Sequence, residues 1–314
     1  MKSILLTCDT EIGETPGDLI DPFETLIEGK AAGQKVGYSL INQIANKYGA
    51  VVTHFVDVFP SVNRGEDRYH QLCEQILNDG HQLGLHTHPA GFFDPQRKWM
   101  YQYSLEEQIR ILTEGKERIF HWTGQEISDH RAGGYGADDR TLDALTRTGF
   151  QTDCSYFDGQ PKCKIISGEI NIPFHRFGVW EIPVTVCHTI GSRSLSKLDW
   201  RYSLSSRDIL AAINLAPDGA VITIFLHSFN FLRLIYDPEK KKYESITVDH
   251  HLIEEYDSLL GAIEKDPECT FVSLREVNPA ESNRSFLSQI FSFTRIQKRL
   301  EQEYFRVVKQ KILL

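Results

Sequence analysis

The chain of 314 residues contains no long apolar run, so it lacks the stretch of about 18 such residues that a bilayer-spanning helix needs. Basic residues are not in excess: 34 Lys and Arg stand against 43 Asp and Glu, a net charge of -9. That balance argues against binding along a nucleic-acid backbone, which requires a basic face. No C-x-x-C occurs among the six scattered cysteines, so neither a thiol redox motif nor a zinc ribbon is indicated. They read as small, reduced, buried side chains. The opening residues Met1 to Asp9 carry too short an apolar stretch for an export signal. A cytoplasmic protein is expected.

What the chain does contain is a repeating order of apolar runs and amphipathic segments. Ile4 to Cys8 is a mostly apolar run suited to a strand buried on both faces. Ala50 to Val58, His81 to His86, Phe150 to Tyr156, Trp180 to Val186 and Ala220 to Leu226 read similarly. Helices are expected near residues 34–47, 66–78, 104–121, 138–148, 206–215 and 253–263. The clearest begins at Ser104, where Glu107 three positions on completes a capping box. Strands alternating with helices predict α/β architecture with parallel strands joined by helical crossovers. Their number favours a distorted (β/α) barrel of seven or eight strands. The expected division is a barrel over residues 1–278 and a C-terminal extension over 279–314.

In such barrels chemistry gathers at the C-terminal strand ends. Those ends carry Asp9 and Glu11, Asp57, His86 and His88, Arg131, Asp153, Glu181 and His227. Residues two apart in an extended strand point to the same side, so His86 and His88 can face one ion, and Asp9 and Glu11 can join them. Two imidazoles and a carboxylate make a three-ligand set that leaves room for water, as in catalytic zinc sites. The second carboxylate is then available as a base, and His227, on another strand, as the acid for a leaving amine. Arg131 would keep a carboxylate ionised and in register. The chemistry this predicts is metal-assisted hydrolysis of an amide or ester, with zinc the first choice of ion. Tyr135, Trp180 and Trp200 are aromatic residues of a kind more often found in the core than as sugar platforms.

Five short motifs in order carry a family resemblance. Leu6-Thr7-Cys8-Asp9-Thr10-Glu11, Gly80 to Thr87, His130 to Gly136, Glu181-Ile182-Pro183 and Leu226-His227-Ser228 resemble the motifs of the polysaccharide deacetylase superfamily, the NodB homology domain. The resemblance covers roughly residues 1–275. It implies a metal-dependent site that hydrolyses the carbon–nitrogen bond of N-acyl amino sugars. Asp9 would be the base, His86 the first histidine ligand, Arg131 the residue orienting the base, and His227 the acid. The main-chain amide near Tyr135 would help form the oxyanion hole, with Gly134, Tyr135, Asp153, Glu181 and Trp200 around the substrate.

The motifs also depart from the family pattern. Its metal-binding aspartate falls on Thr10, which leaves Asp9 or Glu11 to ligate. Its second histidine falls on Ala90, with His88 the substitute, and Arg131-Ala132-Gly133 lacks its proline. Asp153 and Glu181 are the candidates to tune His227. The expected substrate is a nucleotide- or lipid-linked amino sugar bearing acetyl or formyl, an intermediate of surface polysaccharide synthesis. The alternatives are a glycan-binding barrel that has lost its metal and its catalysis, and a metal-free C–N hydrolase acting on a small amide.

The C-terminal region differs from the body. Residues 281–314 carry seven Lys and Arg against three Glu, a net +4 that leaves -13 on the rest. From Ser285 to Leu313 apolar residues recur at three- and four-residue steps, the pattern of an amphipathic helix. It would pack on the acidic body, form a homodimer seam, or lie on the inner face of an anionic membrane.

Overall fold

The computed structural model describes residues 1–13, 19–192, 194–200, 204–237, 239–240, 242–281 and 285–292. Its centre is a curled sheet in the order Val221–His227, Lys2–Thr10, Val52–Asp57, Gln82–Thr87, Asp129–Ala132, Thr152–Asp153, Val179–Glu181 and Phe174–Arg176. All neighbouring pairs are parallel except the last, a short antiparallel edge. Cys269–Phe271 adds a further parallel strand beside the start of Lys2–Thr10. The barrel is open: among the described residues no ladder joins Val179–Glu181 to Val221–His227. The chain just past Glu181 spans the gap. Thr223 donates its N–H to Thr185 Oγ1 (2.8 Å) and its hydroxyl to the Pro183 carbonyl (3.3 Å), and Phe225 N–H donates to the Leu198 carbonyl (3.0 Å).

The period-two alternation of the strands decides which side chains meet. On the opening strand Ile4, Leu6 and Cys8 pack outward against helix residues such as Ile41, Ile44 and Leu260. Leu5 points the other way, into an inner cluster with Phe55, Cys154, Ile182 and Val221. Thr7 and Asp9 share the parity of Leu5. Phe55 and Asp57, Gly84 and His86, Arg131, Thr223, Phe225 and His227 hold the same inward parity on their own strands. The interior is narrow. A Cβ on Gly84 would lie 2.8 Å from the Phe55 ring and 3.0 Å from the Asp129 carbonyl.

Helices Tyr38–Lys47, Glu66–Asn78, Leu105–Thr123, Asp139–Arg147, Ser206–Asn214 and His250–Glu264 form the outer layer. The Ser104 capping box is present in full: Glu107 N–H donates to Ser104 Oγ, and Ser104 N–H donates to the Glu107 carboxylate. The first helix begins later than residue 34, because Lys30–Ala31 and Gln34–Lys35 form a small hairpin ahead of it. A second hairpin, Leu232–Asp237 with Lys242–Val248, follows the strand that ends at His227. Its strands had no signal beyond a charged, weakly alternating stretch. All six cysteines are free thiols, and no described helix is long and apolar enough to cross a membrane.

The expected C-terminal helix is corrected where it can be examined. Ser288–Ile290 is a strand, pairing in parallel with Val186–Thr189, which in turn pairs with Leu195–Lys197. Ser288 donates its hydroxyl to the Ala212 carbonyl (2.8 Å), Ser292 donates to Asp208 Oδ2 (2.7 Å), and Ile290 is buried in the core. An available sheet edge overrode the helical spacing of Phe286 and Ile290. Residues 293–314 of that expectation lie outside the described residues.

Candidate metal centre

Asp9 and Glu11 end the opening strand on the inward face, and Thr10 between them faces the other way. Its hydroxyl pairs with His54 Nδ1 at 2.8 Å, and His54 Nε2 reaches Asn42 Oδ1 at 2.7 Å. Asn42 Oδ1 can only accept, so Nε2 carries the proton and Nδ1 accepts from Thr10. Thr10 is thereby excluded from the site by strand parity.

His86 is buried, and its Nδ1 lies 2.9 Å from the Arg131 carbonyl. A carbonyl oxygen accepts only, so Nδ1 is the protonated nitrogen and Nε2 presents a lone pair to the interior. Two positions on, His88 lies with its ring centroid 4.9 Å from that of His86. Its Nε2 sits 2.7 Å from Glu11 Oε2, and His86 Nε2 is 3.6 Å from the same oxygen. Donor atoms of Glu11, His86 and His88 all lie within 4.8 Å of one another. Glu11 Oε2 and His88 Nε2 are buried and make no hydrogen bond of good geometry. Converging buried atoms without aligned hydrogen bonds are the signature of a ligand set. The residues fit a divalent ion, and two imidazoles with one carboxylate are a donor set used by catalytic zinc.

The charges are arranged to match. Burial would raise the Glu11 carboxyl, but His88 and His86 outweigh it and hold the group well below the usual carboxylate range. Burial would lower His88, yet Glu11 beside it prevails and draws it up to about 9. Asp9, the other expected ligand, is not one of the three. Its Oδ1 accepts from Arg131 Nη1 at 2.8 Å, and its Oδ2 stands 3.7 Å from His86 Nε2. Against the raising effect of burial, His86 and Arg131 keep the Asp9 carboxyl below its ordinary value.

Arg131 is fully buried and fixed on several sides. It donates to the Cys154 carbonyl (3.1 Å) and to Thr7 Oγ1 (3.0 Å), and its guanidinium lies over the rings of Phe55 and Phe225. His227 sits opposite Asp9 in the ladder, with Nε2 3.9 Å from Glu11 Oε1. Five of the expected residues (Asp9, Glu11, His86, His88 and His227) thus converge around one point, with Arg131 behind Asp9.

Gly134 and Tyr135 line the same cavity, whose volume is about 440 Å³; Trp99, Lys162, Lys197 and Asp199 complete much of its wall. A second cavity of about 520 Å³ adjoins it past His88, bordered by Asp57, Phe59, Arg64 and Phe92. Burial pushes the Asp57 carboxyl up to about 6.

Three expected residues do not reach the site. Asp153 and Glu181 have the outward parity of their strands. Asp153 accepts from His130 Nδ1 (2.7 Å) and Ser155 Oγ (2.8 Å), and Glu181 Oε1 accepts from Tyr156 N–H (2.9 Å). Burial, with the Asp153 carboxylate beside it, drives the Glu181 carboxyl well upward. These two acids brace the turn after Arg131, where Ser155 accepts from Ala132 N–H. Trp200 belongs to the core, with its indole N–H on Ser206 Oγ (3.1 Å) and its ring edge-on to Tyr256.

Asp199 and Lys197, which the sequence did not single out, line the cavity together with His227. Their spacing in Lys197-Leu198-Asp199 is the same i, i+2 pattern as Asp9 and Glu11. It lies past a short strand that the sequence marks weakly.

No family model matches the sequence, and no curated protein matches it. Solved structures do. A protein from Mycobacterium smegmatis, whose assignment as a polysaccharide deacetylase is itself provisional, aligns with a TM-score of 0.58 at 14% identity, covering 92% of this chain and 94% of that one. A peptidoglycan deacetylase, PdaC from Bacillus subtilis, aligns at 0.44 and 15% identity over 97% and 96%. A family 4 carbohydrate esterase from Streptomyces lividans, solved with acetate, aligns at 0.45 and 11% over 91% and 97%. The first of these establishes the fold: this chain shares the curled half-barrel of the Mycobacterium smegmatis protein.

Proposed function

We propose that the chain is a metal-dependent hydrolase that removes an acetyl or formyl group from the nitrogen of an amino sugar. The observation that carries the reading is the convergence of Glu11, His86 and His88 donor atoms, with Asp9 and His227 on either side of them. A divalent ion held there, zinc by preference, supplies a polarised acyl carbonyl and a water acidified towards neutrality.

The remaining work falls to the chain. Asp9, ionised beside Arg131, accepts the proton of the attacking water. Arg131 fixes that carboxylate through Nη1, and its other nitrogens are held by Thr7 and Cys154, so the base cannot rotate away. His227, across the opening, delivers a proton to the leaving amine nitrogen. The turn at Gly133–Tyr135 presents main-chain peptide at the wall where negative charge grows on the acyl oxygen.

The cavity mixes Trp99, Tyr135 and Phe229 with Gln160, Lys162 and Asp199, a lining suited to a sugar with apolar faces and polar edges. Nucleotide- and lipid-linked N-acyl amino sugars are the substrates to try first. The test is release of acetate or formate from such a panel by protein of measured metal content. Release that falls with chelation and returns with zinc supports the reading. Stoichiometric metal with no release from any member overturns the substrate class, and absence of metal from native protein overturns the mechanism.

A further inference from the structure

Lys197 is 2% exposed, and a buried ammonium costs several kcal/mol unless it is well partnered. Its surroundings combine aromatic rings with one buried carboxylate, that of Asp199. Nζ lies 3.2 Å from the centroid of the Phe225 ring. The Arg131 guanidinium lies 4.6 Å from the same ring, and the His227 ring meets it edge-on at 5.1 Å. Asp199 Oδ2 stands 3.2 Å from Nζ. A shorter polar contact leads to the site itself: Nζ donates to Tyr135 Oη at 2.7 Å.

Tyr135 is the residue on which this contact acts. Its φ is +63°, a left-handed conformation that costs a non-glycine residue roughly 1–2 kcal/mol. Gly134 before it is also left-handed, at φ +56°, and Trp99 is pressed against that turn so closely that a Cβ on Gly134 would lie 2.4 Å from its ring. Such strain persists only where the surroundings over-determine it. At the side-chain end, the restraints include an edge-on contact with Phe157 (5.0 Å), the Phe225 ring (6.0 Å) and the Lys197 ammonium on the hydroxyl. Of these three, the last is the directional one.

We propose that Lys197 is a positioning residue: by donating to the Tyr135 hydroxyl it locks Tyr135 in its left-handed conformation and so fixes the orientation of the Gly134–Tyr135 peptide at the wall of the catalytic cavity. The proposal rests on the deacylase reading above for its kinetic consequence, but not for its structural one. Burial lowers the Lys197 ammonium to about 8, with Asp199 and Asp9 opposing that fall. A lysine held for bulk alone would be better replaced by methionine. The Lys197 ammonium instead joins the buried Asp199 carboxylate to the hydroxyl of a strained turn residue in the cavity wall.

The test uses the full-length, zinc-loaded protein and the variants Lys197→Met, Tyr135→Phe and their combination. Lys197→Met keeps most of the side-chain length and removes the donor together with the Asp199 ion pair; Tyr135→Phe removes the hydroxyl and leaves that ion pair in place. Each single variant is expected to lower kcat by about 10–100-fold with KM changed little, the range for a misplaced group that stabilises the transition state. The double variant is expected to be no worse than the poorer single one, with zinc content equal to that of the parent in all three. Losses that multiply in the double variant, or a Lys197→Met protein with parental kcat, overturn the proposal.

Crystal structures of the two single variants give a readout independent of activity. In both, the backbone at position 135 is expected to leave the left-handed region while Glu11, His86 and His88 stay put. A turn unchanged in both variants overturns the proposal even if the parent hydrolyses no amino sugar. Should Lys197→Met fail to fold, the Tyr135→Phe structure alone decides the question.

Discussion

Gly133 and His88 occupy what would otherwise be one volume: a Cβ on Gly133 would lie 2.5 Å from Cε1 and Nε2 of the His88 ring. The absence of a side chain after Ala132 is therefore what lets a histidine only two residues past His86 bring its ring back over the site. The turn that lacks a proline and the shortened histidine spacing are two halves of one arrangement.

Gly133→Ala is accordingly expected to swing the His88 ring off Glu11 without unfolding the protein, because the obstructing atoms belong to a side chain rather than to backbone. Displacing a ligand in this way typically weakens metal binding by about 10–100-fold. Competitive zinc titration with a chelating dye, alongside thermal unfolding of the metal-free protein, checks both parts. Unchanged affinity would show that His88 is not a ligand.

Arg131 and Asp9 form a fully enclosed ion pair, and breaking such a pair from one side strands the other charge. Arg131→Met is expected to cost about 3–5 kcal/mol in urea unfolding. Adding Asp9→Asn to that variant should restore part of the loss, since the stranded carboxylate is then gone. Additive losses in the double variant would mean that the two residues stabilise the fold separately.

His54 gives a pH dependence of definite sign. Burial lowers its pKa from 6.5 to about 3, so the unfolded chain binds a proton in this window and the folded chain does not. Stability from this residue is complete above pH 6.5 and declines as pH falls towards 3, by on the order of 5 kcal/mol over the whole range. Denaturant unfolding between pH 7 and 4 should show a shallower decline for His54→Gln than for the parent. Equal declines would place the acid sensitivity elsewhere.

Much of this was legible in the sequence because strand parity is arithmetic. Once Ile4 to Cys8 is taken as a strand, Asp9 and Glu11 must share a face that Thr10 does not, and His86 and His88 follow the same rule. The same rule, applied to Asp153 and Glu181, places them on the outer face. They were expected at the site because they stand at strand ends, but Cys154 and Ile182 are the inward-facing residues there. Lys197 and Asp199 were hidden for a different reason. Leu195–Lys197 is a three-residue strand in a separate small sheet, paired antiparallel with Val186–Thr189, whose other edge carries Ser288–Ile290. Three residues are too few for a period-two alternation to show in the sequence. Ser288–Ile290 was misread for a complementary reason: the periodicity there is helical, and the waiting edge at Val186–Thr189 makes these three residues extended.

The claim on which the account stands is that Glu11, His86 and His88 hold one divalent ion. Metal analysis of the natively purified parent and of His86→Ala tests it most directly. The account predicts one zinc per chain in the parent, and loss of that zinc in the variant with its fold intact. A parent devoid of metal, or a His86→Ala protein that retains a full equivalent, would contradict it.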